Sequence, residues 1–192
     1  MTIRSGMTTL ITRLRGMTNA GTADATVAGE TYWSDEHLQD VLDAHRIDHN
    51  RTPLSPEPEW ADGSLLYHDY YAPAGNFEEA ASGTQYWRVE DGEGYVAGTA
   101  TYSVDYARGV VRFAADTNGT AYYLRGRSYN LNGAAAAVWE RKAGFYAAMY
   151  DVSTDNHRLN RSQLIKHCLA MAAEYEARGG IHSSRVVRTD LT

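Results

Sequence analysis

Apolar residues recur at steps of three and four positions near the start of the chain, which is the period of an amphipathic helix. The first apolar stripe consists of Met7, Leu10, Ile11, Leu14 and Met17. It ends where the small and turn-forming residues of TNAGTADATVAG begin. The pattern therefore predicts a short N-terminal helix with one buried face.

A second helix is predicted to begin at Ser34, because a serine hydroxyl can accept hydrogen bonds from the free N–H groups of a first helical turn. Asp35 and Glu36 follow, and their negative charges complement the positive end of the helix dipole. The helix is expected to stop near HNRTP. Its inner face carries Leu38, Val41, Leu42 and His45.

The pattern changes between residues 52 and 129. Short aromatic and β-branched runs, such as QYWRVED and GVVRFAAD, are separated by Gly, Asp and Asn, which is typical of β-strands joined by turns. Ten of the fourteen tyrosines lie in this zone. Asn118–Gly119 is the strongest turn signal, since both residues tolerate positive φ angles. The zone is predicted to be a small antiparallel sheet.

Helical periodicity returns at residue 130. One stripe consists of Leu131, Ala135, Val138, Phe145 and Met149, and a second beside it of Trp139, Ala143, Tyr146 and Tyr150. A helix that is apolar over this width is expected to be central, with Val138 and Phe145 buried. The inner face of the last helix carries Leu164, Cys168, Met171 and Tyr175.

These elements predict an α+β fold, mainly a helical bundle body with an inserted small antiparallel β-sheet. Residues 1–50 and 130–178 would form the helical body, 52–129 the Tyr-rich β region, and 179–192 an extended C-terminal tail. Helical zones flank the aromatic zone on both sides, which favours a single domain over two tandem domains. A chain of 192 residues is long enough for one well-packed domain.

Charge is unevenly distributed along the chain. Residues 52–97 contain one Lys/Arg and nine Asp/Glu, a net charge of −8, whereas residues 125–192 contain ten and six, a net charge of +4. An acidic middle argues against tight, sequence-independent DNA binding. Arg4, Arg13 and Arg15 interrupt the early apolar runs, so neither a signal peptide nor a membrane span is predicted.

The stretch STDNHRLNRSQ at 153–163 has the residue types of an active site, but its position between two helices favours a connecting turn. Asn160 stands three residues before Gln163, which is a capping-box spacing. Ser153, Asp155 and Asn156 suit a tight turn because their side chains bond local backbone. A hydrolase built on Asp155 and His157 stays open as the less favoured alternative.

No cofactor or metal is predicted. His45 and His49 stand four residues apart, but the helix is expected to end between them, and no glutamate lies where a zinc protease needs one. Cys168 is the single cysteine and lies in an apolar stripe, which indicates packing and excludes an internal disulfide. No catalytic signature remains, so the chain is not expected to be an enzyme.

One segment resembles a known family. SYNLNGAAAAVWERKAGFYAAMYDVSTDNHRLNRSQLIKHCLAMAAEYEAR contains an alanine-rich helix with a Trp-Glu-x-Lys-Ala core, a polar turn, and a helix that opens on Arg-Ser-Gln. It resembles the C-terminal helical pair of tailed-bacteriophage head-to-tail adaptor (connector, neck) proteins. The stretch YWSDEHLQDVLDAHR is similar to the family's early helix. Residues 52–129 depart from the smallest family members, which have little between their helices.

The resemblance implies a structural protein of the virion neck that is assembled in the cytoplasm of a bacterial host. Adaptors of this kind form a homo-oligomeric ring, a dodecamer, below the portal protein. They provide the surface for the next stopper or tail protein, and genomic DNA passes through the ring without sequence-specific binding. An acidic surface facing such a channel would let DNA slide, since like charge suppresses non-specific binding.

The tail GGIHSSRVVRTDLT follows the last helix, which Gly179 and Gly180 are expected to end. Its β-branched residues and arginines suit an extended segment that adds to a sheet edge or lies in a groove of an acidic partner. A frayed terminus is the alternative. The predicted portal-binding residues are Ile181, Arg185, Val186, Val187 and Arg188.

A second function class also stays open. Aromatic side chains on a sheet can stack on sugar rings, as in a carbohydrate-binding or receptor-recognition module of a virion. The same residues are more simply explained as the core of the small sheet. The aromatic residues concerned are Trp60, Tyr86, Trp87 and Tyr95.

Overall fold

The structure is a computed structural model that describes most of the chain. The described residues are 2–21, 26–27, 30–31, 33–61, 63–80, 86–148, 153–154, 157–158 and 161–179. The tail predicted at 179–192 lies outside them except for its first residue. The apolar positions Met149 and Tyr150 also lie outside them.

Helices and strands alternate in blocks along the chain. The helices are a short 3-10 helix at Ser5–Met7, α1 (Thr8–Thr18), α2 (Asp35–Ala44), α3 (Leu131–Ala148) and α4 (Arg161–Gly179). The strands before α3 are β1 (Thr26–Val27), β2 (Glu30–Thr31), β3 (Arg46–Pro53), β4 (Ser55–Ala61), β5 (Ser64–Tyr71), β6 (Arg88–Glu90), β7 (Tyr102–Asp105), β8 (Val110–Phe113) and β9 (Tyr123–Tyr129). Two short strands, β10 (Ser153–Thr154) and β11 (His157–Arg158), precede α4.

The larger strands of the described part form two antiparallel sheets. One has three strands in the order β3-β9-β6, and the other has four in the order β4-β5-β8-β7. The pairs β1-β2 and β10-β11 are separate two-stranded ribbons. Strands that are close in the chain, such as β8 and β9, therefore belong to different sheets.

The predicted fold class is wrong. The chain is α+β with two antiparallel sheets of three and four strands, and it is not a helical-bundle body with one small sheet. The helical zone predicted to reach residue 50 ends at Ala44, and β3 begins at Arg46. The β3 sequence RIDHNRTP is polar and largely exposed, and its strand conformation comes from backbone pairing with the distant β9. The alternation of apolar and polar residues that would predict a strand is therefore missing.

The chain divides into two compact units. The helical unit contains Thr8–His45 and residues 130–179, and the β unit contains Arg4–Met7 and Arg46–Tyr129. The β unit thus lies within the chain between two segments of the helical unit. The prediction of a single domain with an insertion is not decided by this division and stays a prediction.

Both sheets contribute to one apolar core of the β unit. Buried and less buried residues alternate along β8 and β9, as expected for strands that bury one face. The buried members are Leu54, Tyr70, Phe77, Trp87, Val89, Val111, Phe113 and Leu124. Their rings meet edge to face, for example Phe77 with Trp87 at 5.0 Å between centroids.

The helical unit agrees with the sequence pattern at its N-terminal helices. Ser34 caps α2 and accepts a hydrogen bond from the backbone N–H of His37 at 3.3 Å. The backbone and Ser34 hydrogen bonds at this helix start lower the pKa of Glu36. The predicted stripes of α1 and α2 are buried except for Met17 and His45, which are partly exposed.

Two further local predictions have mixed outcomes. Val138 is fully buried, but Phe145 is only half-buried, so the prediction for Phe145 is wrong. Asn118 and Gly119 have the predicted positive φ angles of 51° and 70°. The turn that they form joins strands of two different sheets, so it does not close a hairpin.

The two phenylalanines provide a test of this packing. Phe77→Ala should lower the free energy of unfolding by about 3 to 5 kcal/mol, because the ring is fully buried among other aromatic rings. Phe145→Ala, the matched control, should cost clearly less because its ring is only partly buried. Urea unfolding followed by circular dichroism measures both. Equal losses would contradict the assignment of Phe77 to the core.

Candidate functional site

The predicted portal-binding residues Ile181, Arg185, Val186, Val187 and Arg188 lie outside the described residues. The assignment of portal binding to the tail therefore stays a prediction. Polar side chains that the structure does describe lie on the α3–α4 helix pair and on the four-stranded sheet.

The polar stretch at 153–163 is described only in part. Backbone strands β10 and β11 pair with each other, and α4 begins at Arg161, directly after the predicted cap Asn160. Asp155 lies outside the described residues, as does the side chain of His157. The structural and catalytic interpretations of this stretch both stay predictions.

His45 and His49 occupy different elements, as expected from a helix that ends between them. His45 is the C-cap of α2, and His49 lies on β3 with its Nε2 atom 2.7 Å from the Ser128 hydroxyl oxygen. Burial lowers the pKa of both imidazoles, and the charge of Arg141 lowers that of His45 further. Within the described ranges no three His, Cys, Asp or Glu side chains gather to hold a metal ion.

The Trp-Glu-x-Lys-Ala segment of α3 divides between the two faces of the helix. Trp139, Lys142 and Ala143 are buried, whereas Glu140 and Arg141 are exposed. The buried face packs on α4, where Trp139 and Ala143 form an apolar cluster with Cys168 and Ala172. Small residues at these contacts let the two helix backbones approach closely.

Lys142 is only 4% exposed, yet its ammonium group is satisfied. Its Nζ atom donates to the carbonyl oxygen of Asn19 at 2.9 Å and lies 5.1 Å and 5.9 Å from the ring centres of Trp139 and Trp33. Aromatic faces attract cations, which offsets part of the desolvation of the buried charge.

The hydroxyl of Tyr175 on α4 donates to the carbonyl oxygen of Met17 at 3.1 Å. The last carbonyl groups of a helix have no partner within it. Lys142 and Tyr175 therefore attach α3 and α4 to the chain at the C-terminal end of α1. This explains why a lysine and a tyrosine stand among the apolar positions of the helix pair.

The four aromatic residues considered for sugar stacking do not share one surface. Trp87 is 6% exposed and packs in the core of the β unit, so the simpler interpretation is confirmed for this residue. The Arg127 guanidinium covers the Tyr86 ring at 3.8 Å. Trp60 and Tyr95 are 73% and 70% exposed. Trp60 lies on β4 and Tyr95 in the loop after β6.

The outer face of the four-stranded sheet carries a bidentate ion pair. Arg112 donates from Nε and Nη2 to the two carboxylate oxygens of Asp69 at 2.6 Å and 2.5 Å. These residues are cross-strand neighbours on β5 and β8. The hydrogen bonds from Arg112 hold the pKa of Asp69 below its ordinary value. An ionised, doubly paired carboxylate is poorly suited to act as a general base.

Shallow grooves adjoin this pair on the same face. One is lined by Glu57, Pro58 and Glu59 of β4 together with the pair itself, and the other extends over β7 and β8 to Asp105 and Arg108. Carboxylates outnumber guanidinium groups along the grooves, which suits contact with a positively charged partner surface.

The hairpin of β4 and β5 is a surface that the sequence pattern did not single out. Trp60 and Leu65 are cross-strand partners at its end, and Leu65 is 45% exposed. A feature of the sequence that could have indicated this surface is the segment SPEPEW, in which a tryptophan follows alternating prolines and acidic residues. The roles of Lys142 and of the Asp69–Arg112 pair also needed the structure.

Comparisons with protein-family models, with curated proteins and with solved structures found no match for this chain. In the described part of the chain, no helix combines the length and apolar character needed to cross a membrane.

The ion pair on the sheet predicts a pH effect. In Arg112→Gln the pKa of Asp69 should rise toward its ordinary value of 3.8, because the hydrogen bonds that favour the carboxylate are lost. Since the folded-state pKa is depressed, the stabilisation exists above the unfolded-state pKa and is lost as the pH falls through the folded-state pKa. Carbon NMR of the Asp69 carboxyl measures this shift. Arg108→Gln serves as the control and should change it much less.

Proposed function

We propose that the chain is a structural head-to-tail adaptor of a tailed bacteriophage and not an enzyme. In this role it forms a ring, a dodecamer, below the portal protein in the virion neck after synthesis in the bacterial cytoplasm. It joins the capsid to a stopper or tail protein and lets genomic DNA pass without sequence-specific contacts.

The observation that supports the proposal most is the packing of the segment that resembles adaptor proteins. Within its Trp-Glu-x-Lys-Ala core, the tryptophan and the alanine lie on the contact between α3 and α4, and the buried lysine bonds the Asn19 carbonyl after α1. The residues that carry the resemblance therefore include some that hold the helical unit together. The early helix α2, which carries the second resemblance, belongs to the same helical unit.

The charge and the surfaces are also compatible with a ring around DNA. Residues 52–97 have a net charge of −8, which opposes adhesion to a phosphate backbone. On the outer sheet face, Asp69 and Arg112 are engaged with each other in a bidentate pair. Binding of the portal by residues 181–192 is part of the same proposal.

Negative-stain electron microscopy of the purified chain, alone and mixed with the portal protein encoded beside it, tests the ring. We expect twelve-fold rings attached to the portal. A chain that stays monomeric beside the portal and binds glycans on an array would contradict the adaptor proposal and favour a carbohydrate-binding module.

Portal attachment by the tail is tested separately. The double substitution Arg185→Glu with Arg188→Glu should weaken portal binding roughly tenfold or more, because it reverses both charges offered to an acidic partner. Arg141→Glu, on the exposed face of α3, is the control and should leave binding unchanged. Sedimentation with the portal measures both variants. Unchanged binding of the double variant would move the portal surface elsewhere.

A further inference from the structure

The two faces of the three-stranded sheet carry different side chains. Val89 of β6 and Leu124 of β9 are cross-strand partners that lie in the core. Neighbouring residues of a strand point to opposite faces, so the adjacent partners Arg88 and Arg125 lie on the outer face. Arg127 follows two residues later on that face. The sheet therefore turns arginine side chains away from the core.

Strand β3 adds two more arginines to this face. Its Asp48 is the partner of Arg127, and Arg46 stands two residues earlier. Arg51 lies in the register shift of β3, and its guanidinium is 4.7 Å from the ring centre of Tyr123 on β9. We call the outer side of the three-stranded sheet the arginine face. Its arginines are Arg46, Arg51, Arg88, Arg125 and Arg127.

The arginine face is positively charged, although the net charge of the chain is −6. Its carboxylates are those of Asp48, which pairs with Arg46 at 3.1 Å, and Glu90, which pairs with Arg125 at 2.8 Å. Five arginines and two carboxylates give this face a net charge of +3.

The borders of the arginine face show where the positive charge lies. The turn after β6 adds the carboxylates of Asp91 and Glu93, and Arg51 donates to a carbonyl oxygen of that turn at 2.6 Å. This end of the face is therefore close to neutral. At the other end the buried Glu78 is balanced by Arg4 at 2.9 Å. The positive charge is concentrated between these two ends.

Arg88 and Arg125 place like charges directly opposite each other, which is unfavourable in a sheet. Glu90 compensates Arg125, whereas Arg88 forms no ion pair with another described residue. An anion bound beside Arg88 would remove this repulsion. The cross-strand pair therefore indicates an anion site.

Tyrosine rings hold two of the guanidinium groups in place. Arg127 lies 3.8 Å from the ring centre of Tyr86, and Arg51 covers Tyr123. A stacked guanidinium keeps its N–H groups directed sideways, where they can bond two oxygens of one phosphate. Since guanidinium groups already cover these rings, the rings are not offered to bases. A contact of this kind reads the phosphate backbone and not the sequence.

The composition of the arginine face favours a nucleic acid over an acidic protein. Protein interfaces usually have an apolar centre. The large exposed apolar side chains among the described residues of the β unit lie on other faces or in the turn after β6, and they are Ile47, Trp60, Leu65, Tyr95 and Val96. A phosphate backbone, by contrast, is bound mainly through its charges.

We propose that the arginine face binds the phosphate backbone of DNA without reading its sequence. Binding is expected to be weak and to fall steeply with salt, because the whole chain is negative and each neutralised phosphate releases counterions. The inference goes beyond the proposed function, since a chain that forms no ring could bind DNA in this way.

The charge count along the chain does not reveal this surface. Its arginines come from residues 46–51, 88 and 125–127, which are far apart in sequence. Acidic side chains of the middle zone, such as Glu57 and Glu59, lie along the outer face of the other sheet. Opposite charges are thus separated onto two surfaces of the β unit.

Fluorescence anisotropy of labelled DNA, as a duplex and as a single strand, tests the site on the purified chain. The double substitution Arg46→Gln with Arg88→Gln should weaken binding about tenfold. It should also make the dependence of log affinity on log salt shallower by about two, one for each lost phosphate contact. Neither arginine pairs with a buried carboxylate, so the thermal melt should stay close to wild type.

The matched control is Arg108→Gln with Arg112→Gln. It removes the same charge from the outer face of the four-stranded sheet and should leave DNA binding nearly unchanged. Equal losses in the two double variants would show that only the overall charge matters, which would overturn the inference. Failure of the wild-type chain to bind either form of DNA at low salt would also overturn it.

The opposite change provides a second test. Asp48→Asn removes the exposed carboxylate of the arginine face and should tighten DNA binding several-fold. Glu59→Gln removes an exposed carboxylate of the other sheet and should have little effect. Equal gains in the two variants would contradict a site on the arginine face.

Two further outcomes identify what else could be at work. Unchanged DNA binding together with weakened self-association of the Arg46 and Arg88 variant would overturn the inference and assign the face to an acidic protein surface. The assay contains no portal protein, so rings on the portal without DNA binding would overturn this inference alone and leave the adaptor role standing.

Discussion

The buried carboxylate of Glu78 joins distant segments of the β unit. Its side chain is 1% exposed, and an unpaired charge in that position would be strongly destabilising. Arg4 donates to it at 2.9 Å, the Tyr129 hydroxyl donates at 2.8 Å, and Arg4 also donates to the Tyr129 hydroxyl oxygen at 3.0 Å. These partners stand where the chain leaves the β unit, Arg4 shortly before α1 and Tyr129 shortly before α3. Glu78 thereby joins the first residues of the β unit to its last strand.

The helical unit uses a buried charge of the opposite sign in a comparable way. Lys142 is enclosed by two indole rings and bonded to the Asn19 carbonyl, so α3 is tied to the end of α1 by a polar contact inside an apolar environment. Buried polar contacts tolerate few alternative arrangements, because any misplacement leaves a charge without a partner. Each unit thus combines a non-directional apolar core with directional polar contacts that restrict its arrangement.

The helices were largely predictable from sequence, because the signal of an amphipathic helix lies within a dozen residues. Ser34 and the stripe of α2 are examples. The sheets were not, since β3 and β9 pair across 70 or more residues and β3 carries mostly exposed polar side chains. Burial of Phe145 was overestimated because the stripe of α3 continues past the part that its neighbours cover. Of the candidate sites, the lysine of α3 was visible only as part of a resemblance, and the pair of Asp69 and Arg112 depends on a strand register that no local pattern contains.

Assembly and folding place different demands on the β4–β5 hairpin. Folding would be served by a hydrophobic edge strand, but such an edge would also pair with the edges of other chains. Prolines at positions 56 and 58 and the acidic side chains between and after them suppress that pairing, at the expense of backbone contacts along the edge. The edge of the hairpin can therefore accept few further backbone hydrogen bonds, and its end offers exposed apolar side chains instead, those of Trp60 and Leu65.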